Sequence, residues 1–125
     1  MVCFTGDGAF YYHLAELETA ARFNINLVVV VNNNGALNQE IPLWDNVYPS
    51  KEAAANAKVE DLWKFVPTDF AKVAESLGCV GMRVEDPAEL SGALTRAFTM
   101  NRPVVIDVIS DINAFAKKAW TPKDQ

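Results

Sequence analysis

The sequence contains few of the residues that build metal clusters or disulfide frameworks. It has two cysteines and one histidine in 125 residues, and no spacing between them is typical of a zinc site. Cys3 and Cys79 lie far apart, each inside an apolar run, so we expect both to be reduced core residues. Reduced cysteines are typical of cytoplasmic proteins, and we expect a cytoplasmic location for this protein.

Long apolar runs and an excess of positive charge are also absent. The longest apolar run, residues 27–31, has the length of a strand and is too short to span a bilayer, so no membrane association is expected. The chain has 11 Lys and Arg against 16 Asp and Glu, a net charge of -5, which argues against nucleic acid as a partner. No basic segment precedes an apolar one at the N-terminus, so no secretory signal is visible.

What the sequence does contain is a regular alternation of strand and helix patterns. Half of the residues are hydrophobic, which is enough for a core. Short apolar runs predict strands, and apolar residues at helical spacing predict helices between them. The strands are predicted over residues 2–5, 27–31, 79–84 and 104–109, and the helices over residues 10–23, over residues 69–77 between a Thr68 N-cap and Gly78, and from Asp86-Pro87 onward. The predicted fold class is therefore α/β, a parallel sheet with helices on both faces.

Two stretches fall outside this pattern. Residues 38–64 contain two prolines and two tryptophans and predict a long excursion with one short helix; excursions of this length are often functional. Residues 110–125 are expected to pack as a tail. Four strands are few for a doubly wound domain, so we expect residues 1–125 to be one domain, truncated at its N-terminal side, of a longer multidomain protein.

The residues that suggest chemistry lie where two strands end. The first strand ends in Gly-Asp-Gly-Ala over residues 6–9, and the second ends in three asparagines followed by Gly-Ala. Ligands of open α/β sheets bind at the carboxyl ends of strands, so Asp7 and Asn34 would face each other if the two strands are neighbours. Carboxylate and amide oxygens suit Mg²⁺, and amides at a helix N-terminus suit a phosphate. Together they predict a diphosphate ligand held through Mg²⁺, although each motif alone is most often a turn or a polar loop.

The combination of these motifs resembles a known family. Gly-Asp-Gly after a strand, a helix with the sequence ELETA over residues 16–20, a β-branched strand and an Asn-Asn pair resemble the thiamine-diphosphate signature in order and separation. Residues 66–90 and 102–108 are similar to the acetolactate synthase and pyruvate decarboxylase group. The resemblance implies the thiamine-diphosphate-binding fold, with thiamine diphosphate and Mg²⁺ as cofactors.

The resemblance also implies individual roles. In the family, the aspartate of Gly-Asp-Gly, the second asparagine of the pair and a backbone carbonyl two residues later bind magnesium. Three asparagines leave the register open, but matching the helix and strand to the family pattern selects Asn34, which makes Asp7, Asn34 and the Ala36 carbonyl the implied ligands. The implied cofactor-binding residues are Gly6, Asp7, Gly8, Ala9, Asn34, Ala36 and Leu37. Ala9 stands where many members have serine, so we expect a weaker diphosphate contact there.

For the full-length protein, the resemblance implies an enzyme that makes or breaks carbon–carbon bonds of 2-oxo acids, most like the acetolactate synthase large subunit, and a homo-oligomer (a dimer or a tetramer). The family's catalytic glutamate lies in a pyrimidine-binding domain of the same or a partner chain. No part of this sequence resembles that domain, so we expect no catalytic residue here and an inactive chain in isolation.

Other functions are compatible with parts of the same pattern. A 2-oxo acid decarboxylase and a cofactor-binding module without catalysis are the alternatives. The ELETA helix disfavours the dehydrogenase and transketolase branch, which shares the two motifs. A generic nucleotide-binding domain is disfavoured because neither GxGxxG nor a Walker-type lysine follows the first strand.

Several residues near the motifs keep two interpretations open. His13 and Glu16 follow the Gly-Asp-Gly turn, where a solvent-exposed position is the simpler interpretation and a catalytic or cofactor contact is the alternative. Glu40, Trp44 and Asp45 either shape a substrate pocket or, for Trp44, pack structurally. Residues 113–120 lie either over the active site or at a subunit contact.

Overall fold

The computed structural model describes residues 1–48 and 50–114, with the side chain of Asp45 outside that description. Within these residues, strands and helices alternate along the chain. The strands are β1 (Val2–Gly6), β2 (Val28–Asn33), β3 (Val80–Val84) and β4 (Val104–Ile109), and the helices are α1 (Asp7–Tyr11), α2 (Glu16–Arg22), α3 (Ile41–Val47), α4 (Lys51–Asn56), α5 (Phe70–Ser76) and α6 (Leu90–Thr99), with 3₁₀ helices at Asn38–Glu40, Val59–Leu62 and Pro87–Glu89.

The strands form one parallel sheet in the order β1-β2-β4-β3. β2 pairs with β1 on one side and with β4 on the other, so Val28 lies opposite both Val2 and Val104. The chain crosses the sheet from β1 to β3 with α1, α2 and α5 on one face, and returns from β3 to β4 with α6 on the other. Because the direction and the face reverse together, every crossover has the same hand, as the rule for parallel strands requires.

Each face of the sheet buries its own core. The continuous β-branched runs of β2 and β4 supply residues to both, which is typical of strands covered on two sides. One core contains Phe10, Leu17, Val29, Val31, Phe70, Ala74, Cys79 and Val105, and the other contains Val28, Val30, Val84, Ala93, Ala97, Val104 and Ile106. The predicted fold class, a parallel sheet with helices on both faces, is confirmed.

β1 is an edge strand and is largely exposed. Phe4 is 75% exposed, and Val2 and Cys3 are exposed as well. The prediction that Cys3 is a core residue is wrong, because β1 has a strand partner on one side only and its residues lie outside both core clusters. Cys79 is buried as predicted, and its thiol donates to the Leu17 carbonyl.

The helix predicted over residues 10–23 is in fact two helices, and the first begins earlier, at Asp7. Backbone bonds of the tighter i→i−3 kind, from Tyr12 to Ala9 and from His13 to Phe10, end α1 after one and a half turns. The helix therefore starts inside the Gly-Asp-Gly motif, which brings Asp7 into the first helical turn.

The second motif also differs from its prediction. Asn32 and Asn33 were expected to start a turn, but they continue β2 because β4 extends beside them, with Asn32 opposite Val108 and Asn33 opposite Ile109. The excursion over residues 38–64 holds two α-helices and two 3₁₀ helices instead of one short helix.

Of the two predicted boundaries of α5, the N-cap is wrong and the stop at Gly78 is confirmed. Asp69, not Thr68, caps the helix, because its Oδ1 accepts the N–H of Lys72 at 3.0 Å. Gly78 ends it with a φ of +87°, a conformation that favours glycine. From residue 115 onward the predicted tail lies outside the described residues.

Candidate functional site

The two sequence motifs meet at the carboxyl edge of the sheet. β1 and β2 are neighbours, and Gly6 lies opposite Asn32. Asp7 follows directly and is only 4% exposed. Its Oδ1 accepts the N–H of Gly8 at 2.7 Å, and its Oδ2 accepts the N–H groups of Gly35 at 2.7 Å and Ala36 at 3.2 Å. The carboxylate of the first motif thus holds the turn of the second.

The carboxylate of Asp7 has no positively charged side chain beside it. Among residues 1–48 and 50–114, no Lys, Arg or His forms an ion pair with Asp7. Three backbone amides and the start of α1 are its only favourable partners there. Burying a carboxylate costs several kcal/mol unless a counter-charge or metal balances it. The chemistry of this position therefore fits a bound cation.

Asn34 and Ala36 lie on the same side of the turn as Asp7. The Oδ1 of Asn34 accepts the Ala36 N–H at 3.1 Å, so the Asn34 amide oxygen and the Asp7 Oδ2 converge on one nitrogen. The flanking groups, the Leu37 N–H and the Gly35 carbonyl, bond in the opposite direction to Trp63 and Phe65.

That pairing determines where the Ala36 carbonyl points. In an antiparallel bridge whose bonds are made by the flanking residues, the central residue directs its own N–H and C=O away from the partner strand. The Ala36 N–H does reach Asp7, so its carbonyl lies on the Asp7 side as well. The structure therefore brings the side-chain oxygens of Asp7 and Asn34 together at the Ala36 peptide, and binding of Mg²⁺ by these three residues stays a prediction.

Asn33 faces away from this group. Its side chain is buried, and its Nδ2 donates to the Thr68 carbonyl at 3.0 Å and to Asp107 Oδ1 at 2.9 Å. Asn32 and Asn34 instead line a polar cavity of about 380 Å³ with Asn38, Gln39, Ser110, Asp111 and Ala114. The geometry favours Asn34 over Asn33 as a ligand, because the Asn34 oxygen lies beside the Asp7 carboxylate at the Ala36 N–H.

The remaining residues predicted to bind the cofactor surround the start of α1. Gly8 is buried beneath Leu37, whose Cδ2 would lie 2.5 Å from a Cβ at position 8, so this contact requires a glycine or a displaced Leu37. The Gly8 N–H donates to Asp7, while Ala9 is exposed at the surface and Gly6 ends β1. Contact of Gly6, Gly8, Ala9 and Leu37 with a diphosphate stays a prediction.

A segment that the sequence analysis did not single out braces both motifs. We refer to residues 63–70 as the return segment. Its Phe65 ring packs edge-on against Tyr11 at 5.1 Å between centroids, and the Thr68 and Tyr11 hydroxyls share a hydrogen bond. The Thr68 carbonyl accepts from Asn33. The return segment thus ties α1, which begins at Asp7, to the end of β2, a link that residue types alone do not reveal.

Asp107 is a second buried carboxylate near this edge of the sheet. It is fully buried in β4 and accepts the N–H of Phe70 at 3.0 Å, the Asn33 amide and the Nη1 of Arg83 at 3.2 Å. Burial raises the pKa of Asp107 above its usual value, against the lowering effects of Asn33, Phe70 and Arg83. The one signal in the sequence was an aspartate inside an apolar strand.

Residues with two open interpretations are mostly far from these contacts. His13, Glu16 and Glu40 are exposed. Trp44 lines a groove of about 840 Å³ between α3, α4 and residues 59–62, together with Tyr48, Trp63, Lys51 and Lys58. Asn113 bonds to Asp111 in a local turn, and most of residues 113–120 lie outside the described chain, as does the Asp45 side chain.

Two further features bear on the kind of site that the described parts of the chain can form. No group of three or more His, Cys, Asp or Glu side chains is placed to hold a metal there, so a metal would need backbone or amide oxygens. No helix in those parts combines the length and the apolar character needed to cross a bilayer.

Known proteins are similar to this chain in sequence and in fold. Residues 1–108 match the family model described as thiamine pyrophosphate enzyme, C-terminal TPP binding domain. The chain is 34% identical over 112 residues to the acetolactate synthase large subunit of Haemophilus influenzae, and these residues are 89% of this chain and 18% of that protein. It is 32% identical over 112 residues to a 2-hydroxyacyl-CoA lyase of Arabidopsis thaliana, covering 89% of this chain and 19% of the relative.

Solved structures give the same result for the fold. A thiamine diphosphate-dependent 4-hydroxybenzoylformate decarboxylase of Rhodococcus jostii superposes on 88% of this chain and 19% of its own, with a TM-score of 0.72 and 22% identity. The chain thus spans about a fifth of the length of these relatives.

Proposed function

We propose that this chain holds thiamine diphosphate through a magnesium ion bound by Asp7, Asn34 and the Ala36 carbonyl. The chain belongs to the thiamine pyrophosphate enzymes and forms their C-terminal TPP-binding domain. The diphosphate would lie over the start of α1, where Ala9 offers an amide and Leu37 covers Gly8. Magnesium usually takes few protein ligands and completes its octahedron with phosphate oxygens and water.

One observation carries this proposal. Asp7 is a buried carboxylate that no cationic side chain of the described residues balances, and its Oδ2 shares the Ala36 N–H with the Asn34 oxygen. A divalent cation between these oxygens would provide the missing counter-charge. The coordinating groups come from a carboxylate, an amide and the backbone, so the site needs neither histidine nor cysteine.

For the whole protein, we propose an enzyme that makes or breaks carbon–carbon bonds of 2-oxo acids, most like an acetolactate synthase. When bound, thiamine diphosphate supplies a nucleophilic carbon at its thiazolium ring, and the protein orients it. A pyrimidine-binding domain, of the same or a partner chain, would complete the active site in a dimer or a tetramer of a cytoplasmic enzyme. A 2-oxo acid decarboxylase and a module without catalysis are the alternatives.

Calorimetric titration of thiamine diphosphate tests the cofactor site. We expect heat of binding in the presence of Mg²⁺, and none with EDTA or in an Asp7→Asn variant, which keeps the shape of the side chain but loses its charge. Asp86→Asn is the matched control, because Asp86 also accepts a backbone N–H, that of Ala88 at 2.9 Å, but belongs to the start of another helix. Metal-independent binding, or equal binding by Asp7→Asn, would contradict the proposal.

Product analysis with 2-oxo acids as substrates of the full-length protein separates the alternatives for the whole enzyme. An aldehyde and carbon dioxide as products would favour the decarboxylase, and condensation of two 2-oxo acids with loss of one carbon dioxide would favour the synthase. Binding without turnover of any 2-oxo acid would favour the module.

A further inference from the structure

The three consecutive asparagines differ in what their side chains contact. Asn33 is buried, 7% exposed, and the two acceptors of its amide N–H groups, Thr68 and Asp107, lie on the α5 side of the sheet. Asn34 lies beyond the strand end, where its Oδ1 turns to the Ala36 N–H beside Asp7. Adjacent residues at the end of a strand point to opposite sides, so fixing one side chain also fixes the direction of the next.

Asp107, one of the two acceptors that hold Asn33, is itself hydrogen-bonded to other parts of the protein. Asp107 is fully buried in β4, and its second oxygen accepts the Phe70 N–H at 3.0 Å and the Arg83 Nη1 at 3.2 Å. The other acceptor of the Asn33 amide, the Thr68 carbonyl, belongs to the return segment, whose Thr68 hydroxyl bonds to Tyr11 of α1. One asparagine therefore connects β4, the return segment and the strand end that leads to Asn34.

We propose that Asn33 is a positioning residue: held by Asp107 and the Thr68 carbonyl, it fixes the Asn34 oxygen and the Ala36 peptide in the arrangement that binds the divalent cation. This inference rests on the proposed function. In this arrangement Asn33 acts through its amide N–H groups, which bond to Asp107 and Thr68, while the Asn34 oxygen lies beside Asp7.

The expected effect follows from preorganisation. The Asn34 oxygen has the Ala36 N–H as its hydrogen-bond donor in the described residues, and the Asn33 side chain fixes the strand end from which Asn34 follows. Without the Asn33 bonds, that strand end is held by its backbone pairing alone, and metal binding must then order the Asn34 side chain at a greater cost. Partners that orient metal ligands from outside typically change metal affinity by about 10- to 100-fold.

The test measures Mg²⁺ affinity at saturating thiamine diphosphate in three variants of the chain. Asn33→Leu keeps the number and branching of the side-chain heavy atoms but removes both hydrogen bonds. Val30→Ala is the control for stability, because Val30 belongs to the core on the opposite face of the same strand. Asn26→Ala is the control for loss of an asparagine, because Asn26 is exposed and donates to Asn101 at 3.2 Å before β2 begins.

We expect Asn33→Leu to weaken Mg²⁺ binding by about 10-fold or more, and Val30→Ala to lower the unfolding midpoint while metal affinity in the folded protein stays unchanged. Asn26→Ala should change neither quantity. The electron paramagnetic resonance spectrum of bound Mn²⁺ provides a readout that a stability loss alone does not move, and we expect it to broaden in Asn33→Leu only. If Asn33→Leu does not fold, Asp107→Asn takes its place, since it keeps one acceptor and should give a smaller loss in the same direction.

The outcomes separate the two proposals. Absence of metal-dependent binding in the unaltered protein would overturn both the proposed function and this inference. Binding in the unaltered protein, with equal affinity in Asn33→Leu, would overturn the inference alone. An equal loss of affinity in Asn33→Leu and Val30→Ala would also overturn the inference alone, because it would mean that Asn33 affects metal binding only through the stability of the fold.

Discussion

Two buried carboxylates lie on either side of β2, and the protein balances them differently. Asp107, fully buried in β4, has an arginine, an amide and a backbone N–H as partners. Asp7, 4% exposed after β1, has only backbone N–H groups among the described residues. The first is a closed structural network whose charge is met from within the chain. The second leaves its charge to be met from outside, which is what a metal ligand requires.

The largest effect should come from breaking the closed network. Asp107→Ala leaves the Asn33 amide, the Phe70 N–H and the Arg83 guanidinium without their acceptor. Removing one partner of a buried ion pair typically costs about 3–5 kcal/mol. We expect a loss of this size in the free energy of unfolding measured with denaturant. A loss below about 1 kcal/mol would mean that the network contributes little to the stability of the fold.

The second-largest effect should concern Asp7, the other carboxylate of this comparison, and the stability gained on ligand binding. Mg²⁺ and thiamine diphosphate together, at about 100 times the dissociation constant, should stabilise the protein by about 2.7 kcal/mol. Asp7→Asn should abolish that gain, while Asp107→Asn should retain most of it. Thermal unfolding with and without the ligands measures both. An equal gain in the two variants would remove the distinction between the carboxylates.

Loss of Arg83, the arginine of the closed network around Asp107, should cost less stability, and this cost should depend on pH. Arg83→Met is expected to cost about 1 kcal/mol at neutral pH, since the guanidinium is partly exposed and screened by solvent. Burial raises the pKa of Asp107 above the usual 3.8, so the native state binds this proton more tightly than the unfolded chain. Stability therefore falls as pH rises from 3.8 through the native pKa.

Loss of Arg83 raises the pKa of Asp107 further, so the deficit of Arg83→Met should grow with rising pH and shrink in acid. Denaturant unfolding at several pH values from 4 to 7 checks this. A deficit that is constant over the range would indicate that Arg83 acts through packing or through Glu85, its other partner at 2.8 Å.

A third carboxylate, Asp69, should have the smallest effect on stability and serves as a reference for the other two. Its backbone bond from Lys72 lowers its pKa below 3.8, so its ionised form stabilises the fold above that value and the contribution is lost as pH falls through the native pKa. Asp69→Asn keeps a capping oxygen and should cost about 0.5 kcal/mol near neutral pH. The loss should disappear in strong acid, as thermal unfolding would detect; a loss that persists there would contradict a charge effect.

Predictions from the sequence were correct where a local pattern determines the structure, and wrong where a residue far along the chain determines it. The strand over residues 104–109 and the stop at Gly78 follow from local composition and conformation. The extension of β2 through Asn33 does not, because it depends on pairing with Ile109, far along the chain. For the same reason Thr68 was predicted as a cap, although its hydroxyl bonds to Tyr11 and Asp69 caps the helix.

The site divides in the same way. Asp7, Asn34 and Ala36 were predicted because they lie in two short motifs, and the structure brings them together. Asp107 and the return segment were missed, since nothing in their own residue types indicates that they contact the motifs. Sequence reasoning named the groups that we propose to touch a ligand, whereas their hydrogen-bonding partners became visible only through the fold.

The position of β4 has a consequence for the order in which the molecule can fold. β4 is the last described strand to be synthesised, yet it lies between β2 and β3, and those two strands do not pair with each other. The bond from Asn33 to Asp107 spans 74 residues, and contacts of such separation form slowly. We expect a chain released before residue 104 to lack an ordered site although it keeps Asp7, Asn34 and Ala36, so the site is completed only after β4 has been synthesised.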